Sequence, residues 1–239
     1  MIKIGKARLG ESPAIALTVT DTENLSSINR AKKRAGTGRV VLLLEIRIDR
    51  FRSLAAGYVL QKIRHLKRSG LPIIATVRSP EEGGSRALSD SRRLELFKAI
   101  LPVVDAVDVE LGSAALRKNL VPLAHRLGKR VILSRHNFSR TPSGNEMVRL
   151  IRKARRGRAD IVKLAVTPKT SADLARLFLL TRRHRKENLI SVAMGKLGAP
   201  SRVLGFLFGS LLTYGFIGPK PQAPGQLSFD RLLRKIKNL

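Results

Sequence analysis

The sequence predicts an α/β protein that folds as a single-domain (β/α)8 barrel, or TIM barrel, over residues 1–239. Apolar, β-branched runs of about five to seven residues alternate eight times with longer, charge-rich segments of helical periodicity. Such alternation is typical of βα units around a parallel sheet. A chain of 239 residues holds these units without a spare linker, as one closed barrel requires.

Each apolar run is a predicted strand, and the segment after it is a predicted helix. The strands are 13–19, 40–48, 72–78, 104–110, 129–134, 159–166, 188–194 and 212–217. The helices are 22–35, 54–69, 89–101, 114–127, 143–156, 171–186, 201–210 and 227–237. Residues suited to a helix N-cap precede several of them: Asp21, Ser53, Ser113 and Ser143. Gly70 and Gly128 lie where helices should end.

An open, doubly wound sheet is the alternative architecture for the same alternation. That fold often has a glycine-rich phosphate loop at the start of its first helix. Here the corresponding residues are Thr18-Val19-Thr20-Asp21. The closed barrel is therefore favoured.

Composition excludes several classes of protein. No apolar run reaches the roughly 18 residues of a membrane span, and the N-terminus lacks a signal-peptide core, so we expect a cytoplasmic protein. Cysteine is absent, which excludes disulfides and thiolate chemistry. The four histidines, at 65, 125, 136 and 184, lack metal-ligand spacing, so no metal site is expected.

The net charge of +30, from 47 Lys+Arg against 17 Asp+Glu, raises the possibility of nucleic-acid binding. The basic residues are spread along helical segments, however, and no zinc-finger or RNA-recognition motif accompanies them. Solvated basic helix faces that attract polyanions non-specifically are the favoured interpretation over a dedicated nucleic-acid site.

Lys163 lies in the middle of a run, Ala159 to Val166, that otherwise has the pattern of a buried strand. Burial alone lowers the pKa of a lysine, and a neutral amine is a nucleophile toward carbonyl carbon. The alternative is that Lys163 ends the strand and extends its ammonium into solvent. Period-two alternation places Lys163 on one face with Ile161 and Ala165, toward the barrel interior.

Other strands carry polar residues at or near their C-terminal ends, where barrel enzymes hold their reactive groups. These residues are Glu45, Arg47, Asp49, Arg78, Asp108, Glu110 and His136. Each could be a structural ion pair or a rim charge. Together they supply an amine for an imine, a histidine for proton transfer, carboxylates to orient it, and arginines for an anionic substrate. An iminium is an electron sink, so dehydration of a β-hydroxy ketone and aldol cleavage both fit.

The order and spacing of these motifs resemble type I 3-dehydroquinate dehydratase, an imine-forming enzyme of the shikimate pathway, over nearly the whole chain. The motifs are Glu45-Ile46-Arg47-Ile48-Asp49, Thr76-Val77-Arg78, Glu82-Gly83-Gly84, Asp108-Val109-Glu110-Leu111, Ser134-Arg135-His136-Asn137-Phe138, Asp160-Ile161-Val162-Lys163-Leu164-Ala165, Met194-Gly195-Lys196-Leu197-Gly198, Ser201-Arg202 and Ala223-Pro224-Gly225-Gln226.

The resemblance implies three catalytic residues: Lys163 forms the imine with the C3 ketone, His136 moves the protons, and Glu82 orients His136. It implies a set of residues that bind the anionic substrate: Glu45, Arg47, Arg78, Met194, Arg202 and Gln226. It also implies a homodimer that uses neither metal nor cofactor.

Two positions depart from the family pattern. Gln222 stands where the family often has a serine that contacts substrate, and the first strand, 14–18, lacks the usual serine in clear register. The alternatives to this function are an imine-forming class I aldolase on the same barrel and a basic nucleic-acid-binding protein.

Overall fold

Strands and helices alternate in a computed structural model that describes residues 2–36 and 38–239. The strands are β1 Ile2–Ile4, β2 Ala7–Leu9, β3 Ala14–Val19, β4 Val41–Arg47, β5 Ile73–Thr76, β6 Ala106–Glu110, β7 Arg130–Asn137, β8 Ile161–Val166, β9 Leu189–Ala193, β10 Thr213–Phe216 and β11 Leu227–Ser228. The helices are α1 Leu25–Ala35, α2 Ala56–Lys67, α3 Asp90–Ile100, α4 Ala114–Arg126, α5 Gly144–Arg156, α6 Ser171–Arg183, α7 Ala199–Leu204 and α8 Phe229–Lys237. Among the described residues, no helix is long and apolar enough to cross a membrane.

Strands β3 to β9 pair in parallel in chain order, and β10 pairs with β3, which confirms the predicted (β/α)8 barrel. Within the described residues, β9 and β10 share no strand ladder. Hydrogen bonds cross this seam instead, two of them donated by backbone N–H groups. The Leu211 N–H donates to the Leu189 carbonyl over 2.8 Å, and the Ser191 N–H donates to Ser210 Oγ over 3.0 Å.

Two of the predicted N-caps are wrong. Asn24 caps α1 by accepting the Ser27 N–H, while Asp21 accepts hydrogen bonds from the Tyr58 hydroxyl and the Arg52 N–H. Ala55, not Ser53, precedes α2, so this helix starts without a side-chain cap.

The other predicted helix boundaries fit the structure better. Ser113 is the residue before α4, although its side chain makes no capping bond. Ser143 caps α5 in a reciprocal capping box with Glu146. Gly70 and Gly128 have left-handed φ angles of 71° and 66° just after α2 and α4, and this conformation costs glycine least.

A short N-terminal hairpin closes one end of the barrel. Strands β1 and β2 pair antiparallel, and their residues Ile2, Ile4, Ala7 and Leu9 are buried. These side chains pack on a cluster from the barrel interior that includes Ile132. The sequence did not predict this hairpin, because its three-residue strands are too short to show alternation.

Alternation along β4 shows how the sheet divides its side chains. Leu42, Leu44 and Ile46 pack in the outer core against the helices, whereas Leu43 belongs to the interior cluster. Glu45 then follows Leu43 on the interior face. Polar residues at the C-terminal ends of several strands therefore meet inside the barrel.

Candidate active site

A cavity of about 210 Å³ lies at the C-terminal end of the barrel strands. All nine residues predicted to form the site line it: Lys163, His136, Glu82, Glu45, Arg47, Arg78, Met194, Arg202 and Gln226. The strand pattern placed four of the nine at or near strand ends and Lys163 within a strand, and the resemblance supplied the other four. The barrel is what brings together side chains up to 181 positions apart. The glutamine arrives from the loop before β11, which folds over the mouth of the cavity.

Lys163 is buried in β8, and its ammonium is held by carboxylates from two other strands, β6 and β4. Nζ lies 2.8 Å from Asp108 Oδ2 and 3.5 Å from Glu45 Oε1, and it sits 4.1 Å from the centroid of the Tyr214 ring. Burial favours the neutral amine, but Asp108 and Glu45 outweigh it and raise the pKa of Lys163 above its ordinary value. The effect of burial alone on the pKa of Lys163 is therefore reversed in this cavity by its charged neighbours.

Asp108 joins Lys163 to a buried chain of alternating charges. Its Oδ1 lies 2.9 Å from Arg78 Nη2, and Arg78 Nη1 lies 3.3 Å from Glu110 Oε1. Glu110 in turn pairs with Arg93, a fully buried arginine of α3. Burial raises the pKa of Asp108, but Arg78 and Lys163 outweigh it and hold that pKa far below its usual range.

His136 is oriented by Glu82. Oε2 of Glu82 lies 2.9 Å from His136 Nδ1 and also accepts the backbone N–H of His136 over 2.9 Å. A carboxylate oxygen at this place favours the proton on Nδ1, which leaves Nε2 as the basic nitrogen. Burial, followed by the charges of Arg78 and Lys163, lowers the pKa of His136 well below its ordinary value. The imidazole is therefore neutral at pH 7.

The Gly83-Gly84 pair lets Glu82 reach His136. A Cβ on Gly84 would lie 2.1 Å from the Arg78 carbonyl oxygen, and one on Gly83 would lie 2.7 Å from the Phe138 ring. Gly83 also has a left-handed φ of 88°. Its carbonyl accepts a hydrogen bond from Arg47 Nη2 over 3.1 Å. The backbone after Glu82 therefore has no room for a side chain at either position, which explains the two glycines there.

The loop at 218–226 is held across the cavity by hydrogen bonds to the barrel. Gln226 Nε2 donates to Thr18 Oγ1 over 3.0 Å, and Thr18 Oγ1 donates to Glu45 Oε2 over 3.0 Å. The Gln222 N–H donates to Gln226 Oε1 over 2.7 Å. Arg202 Nη2 donates to the Pro224 carbonyl over 3.1 Å. The loop therefore forms one wall of the cavity.

Arg202 differs from the other cations of the cavity. It is 2% exposed, and no carboxylate lies within 4.0 Å of its guanidinium in the described part of the chain. Burial lowers its pKa to about 10. Its Nε has no hydrogen-bond partner among the described residues. Such a buried cation is suited to bind an anion.

Sequence reasoning missed several residues of the cavity. Thr18 supplies a hydroxyl from the first barrel strand, where the usual serine could not be aligned. Arg50 and Tyr214 also line the cavity, and neither belongs to a motif that marks it. Asp108 was recognised as a polar strand residue, but its contact with Lys163 depends on pairing between distant strands. The alternation of inward-facing and outward-facing residues along β10 is the one sequence signal that could have indicated Tyr214.

Comparison with known proteins adds to this geometry. A profile of the type I 3-dehydroquinase family matches residues 14–238. The chain belongs to this family. It is 33% identical over 223 residues to the 3-dehydroquinate dehydratase of Aquifex aeolicus (strain VF5), an alignment that covers 93% of this chain and 97% of that protein. The resemblance drawn from the sequence motifs and the prediction of a hydro-lyase are confirmed.

Solved structures of the family have the same fold. The 3-dehydroquinate dehydratase of Geobacillus kaustophilus HTA426 superposes with a TM-score of 0.89 at 31% identity, covering 100% of this chain and 95% of that chain. The type I enzyme of Clostridium difficile superposes with a TM-score of 0.87 at 27% identity, covering 99% and 96%. The family match favours dehydration over the aldolase alternative.

Proposed function

We propose that this type I 3-dehydroquinase converts 3-dehydroquinate to 3-dehydroshikimate through an imine on Lys163, with His136 as the proton carrier. The observation that carries the proposal is the buried Lys163 ammonium beside Asp108, in a cavity that also holds a neutral histidine. The Clostridium difficile relative was solved with covalently modified comenic acid, which is consistent with covalent chemistry in the family.

The charge balance of imine formation suits this cavity. An ammonium and a ketone give a protonated imine and one water, so the nitrogen carries one positive charge before and after the step. Asp108 and Glu45 stabilise that charge in both states. A raised pKa of Lys163 therefore fits the mechanism, provided that a neighbouring base carries protons from nitrogen to the departing oxygen.

His136 is that base. Its neutral Nε2 takes a proton from the ammonium and returns it to the carbinolamine hydroxyl, which leaves as water. It then removes the C2 proton next to the iminium carbon, and the electron pair moves toward the iminium nitrogen. His136 next protonates the C1 hydroxyl, which leaves as a second water as the C1–C2 double bond forms. Hydrolysis of the product imine restores Lys163. Glu82 positions the imidazole for each transfer.

Substrate binding divides between charge and hydroxyl recognition. Arg202, which has no acidic partner among the described residues, binds the substrate carboxylate, a task suited to a planar guanidinium. Glu45, Arg47, Arg78 and Gln226 bind ring hydroxyls or the oxygens beside the reacting carbons. Met194, which is 2% exposed, forms the apolar wall of the cavity.

Borohydride trapping tests the imine. Incubation with 3-dehydroshikimate and borohydride should add one reduced ligand to the peptide that contains Lys163, as read by mass spectrometry. Lys163→Ala should give no adduct and lose at least about 10⁴-fold in kcat, because it removes the covalent step altogether. An active Lys163→Ala enzyme without an adduct would refute the mechanism.

The pH dependence of kcat/KM tests the neutral histidine. Because the pKa of His136 lies well below 6.5, kcat/KM should stay level as pH falls through 6.5 and decline only at lower pH. His136→Ala should lower kcat by roughly 10²–10⁴-fold across the range. An acid limb at pH 6.5 or above in the wild-type profile would contradict this assignment.

We also propose an oligomeric state, the homodimer, and a cytoplasmic location for this enzyme. The family resemblance implies a homodimer, and sedimentation of the purified enzyme at two salt concentrations would establish its mass in solution. A cytoplasmic location and a single catalytic domain over residues 1–239 stay predictions.

A further inference from the structure

The surface is more basic than the composition suggests, because the fold buries acids preferentially. Six of the 17 acidic residues are buried, against five of the 47 Lys+Arg. The buried acids are Asp21, Glu45, Asp49, Glu82, Asp108 and Glu110. The buried bases are Arg47, Arg78, Arg93, Lys163 and Arg202. The charges outside the core therefore number 42 positive and eleven negative.

Part of this excess lies along one side of the barrel. Residues 111–159, which form α4, β7 and α5, contain 13 Lys+Arg and a single acid, Glu146. Glu146 is occupied by an ion pair with Arg140 and by the capping box at the start of α5. Helix α4 contains no acid at all. One side of the barrel thus has almost no carboxylate to offset its cations.

Helix α5 presents a continuous basic stripe on its exposed face. Arg149, Arg152, Lys153 and Arg156 are all exposed, at the i, i+3, i+4 and i+7 spacing that places side chains on one face. Within the described residues, none of these four side chains makes an ion pair or hydrogen bond. The stripe extends roughly 10 Å along the helix axis, a length over which a nucleic-acid duplex presents about six phosphate charges.

The stripe continues into a groove between α4 and the end of α5. The groove has a volume of about 260 Å³, and its lining includes four cations, Arg117, Lys118, Arg156 and Arg158, and no acid. Arg156 belongs to both the stripe and the groove. The Nε of Arg117 is buried there without a hydrogen-bond partner among the described residues. The two helices therefore form one basic surface rather than two isolated clusters.

The chemistry of this surface favours a phosphate backbone. Arginine predominates, and its guanidinium matches phosphate oxygens in pairs. Helices α4 and α5 contain no Phe, Tyr or Trp on which bases could stack, which disfavours single strands. No large apolar side chain of α4 or α5 is exposed, so the face lacks the residues that would insert into a membrane.

We propose that the α4–α5 surface binds the phosphate backbone of duplex nucleic acid without reading its sequence. Phosphate contacts of this kind position a protein on a duplex and make its affinity depend on salt. The bound face lies on the flank of the barrel, apart from the cavity at its C-terminal end, so the enzyme can bind duplex and substrate together.

The test compares two variants that each lose four positive charges. The first is Arg149→Gln/Arg152→Gln/Lys153→Gln/Arg156→Gln on α5. The control is Lys33→Gln/Arg231→Gln/Arg234→Gln/Lys235→Gln on α1 and α8, which contact each other on the opposite side of the helix ring. Fluorescence anisotropy of a labelled 20-base-pair duplex gives Kd at several salt concentrations, and dehydratase turnover confirms that both variants fold.

The α5 variant should raise Kd at least tenfold and reduce the slope of log K against log salt by about three to four, since each lost phosphate contact removes about 0.9. The control should raise Kd less than threefold. Equal weakening by both variants would overturn the proposal, because overall charge would then explain binding. A failure to bind the duplex at about 0.15 M salt would also overturn it. Binding of polyglutamate or of phosphatidylserine vesicles as tightly as the duplex, at matched charge, would do the same.

Discussion

Arg78 and Arg202 are two buried arginines of one cavity, and their surroundings are opposite. Arg78 is 3% exposed and pairs with Asp108 and Glu110. Arg202 is 2% exposed and donates to a backbone carbonyl, with no carboxylate nearby among the described residues. Burial lowers both pKa values, but for Arg78 the carboxylates outweigh it and raise the pKa, whereas for Arg202 the pKa stays lowered, at about 10.

The difference separates charge that the protein neutralises itself from charge that it keeps for a ligand. Removing one member of a buried ion pair strongly destabilises a protein, because the other charge is left without a partner. A buried ion that has no partner in the wild type already costs stability, so removing it should cost little. Arg78 belongs to the first kind, because it links Asp108 to Glu110 and Arg93. Arg202 belongs to the second kind. Replacing Arg78 should therefore lower the free energy of unfolding much more than replacing Arg202.

Arg78→Met should have the largest effect on stability. The substitution preserves much of the side-chain volume but removes one of the two cations that pair with Asp108 and one of the two that pair with Glu110. We expect a loss of about 3–5 kcal/mol in the unfolding free energy, measured by urea denaturation at pH 7. Adding Asp108→Asn to this variant should recover part of the loss. A single variant within about 1 kcal/mol of the wild type would show that the charge chain does not stabilise the barrel.

Asp108→Asn should have an intermediate effect. Asparagine keeps the shape but not the charge, so Arg78 and Lys163 each lose their nearest carboxylate, and we expect a loss of about 1–3 kcal/mol. In the wild type, the raised pKa of Lys163 contributes stability that is fully present below pH 10.5 and is lost as pH rises through the folded pKa. The variant should lose that contribution.

The pKa of Lys163 provides the specific readout for Asp108. The pH dependence of Lys163 modification by an amine-directed reagent, followed by peptide mass, should shift to lower pH in Asp108→Asn. Glu45→Gln is the matched control, because Glu45 lies 3.5 Å from Nζ against 2.8 Å for Asp108, and its shift should be smaller. Equal shifts would mean that Asp108 is not the dominant partner.

The sequence predicted more of the site than of the interactions within it. Period-two alternation placed Glu45, Arg47 and Lys163 inside the barrel, since local geometry decides which face a strand residue occupies. Alternation could not predict that Lys163 meets Asp108 across 55 positions of sequence, or that its pKa would be raised. The contact and the raised pKa depend on the order of the strands in the barrel and on the distance between the two side chains. The N-terminal hairpin was missed for a different reason, because its three-residue strands are too short to show alternation.

Arg202→Met should have the smallest effect on stability and a clear effect on substrate binding. Because burial without a carboxylate already disfavours the charged guanidinium, its removal should leave the unfolding free energy unchanged or raise it, apart from one hydrogen bond to Pro224. If Arg202 binds the substrate carboxylate, kcat/KM should fall roughly 10–100-fold through a higher KM, which corresponds to one charged hydrogen bond.

Arg202→Lys tests the shape of that contact rather than its charge. Lysine retains one positive charge but loses the planar pair of donors, so its KM should lie between those of the wild type and the methionine variant. Product should raise the Tm of the wild type more than that of Arg202→Met, since tighter binding to the folded state stabilises it more. A methionine variant as unstable as Arg78→Met, with an unchanged KM, would place Arg202 among the cations that the fold requires and would leave the carboxylate without its proposed partner.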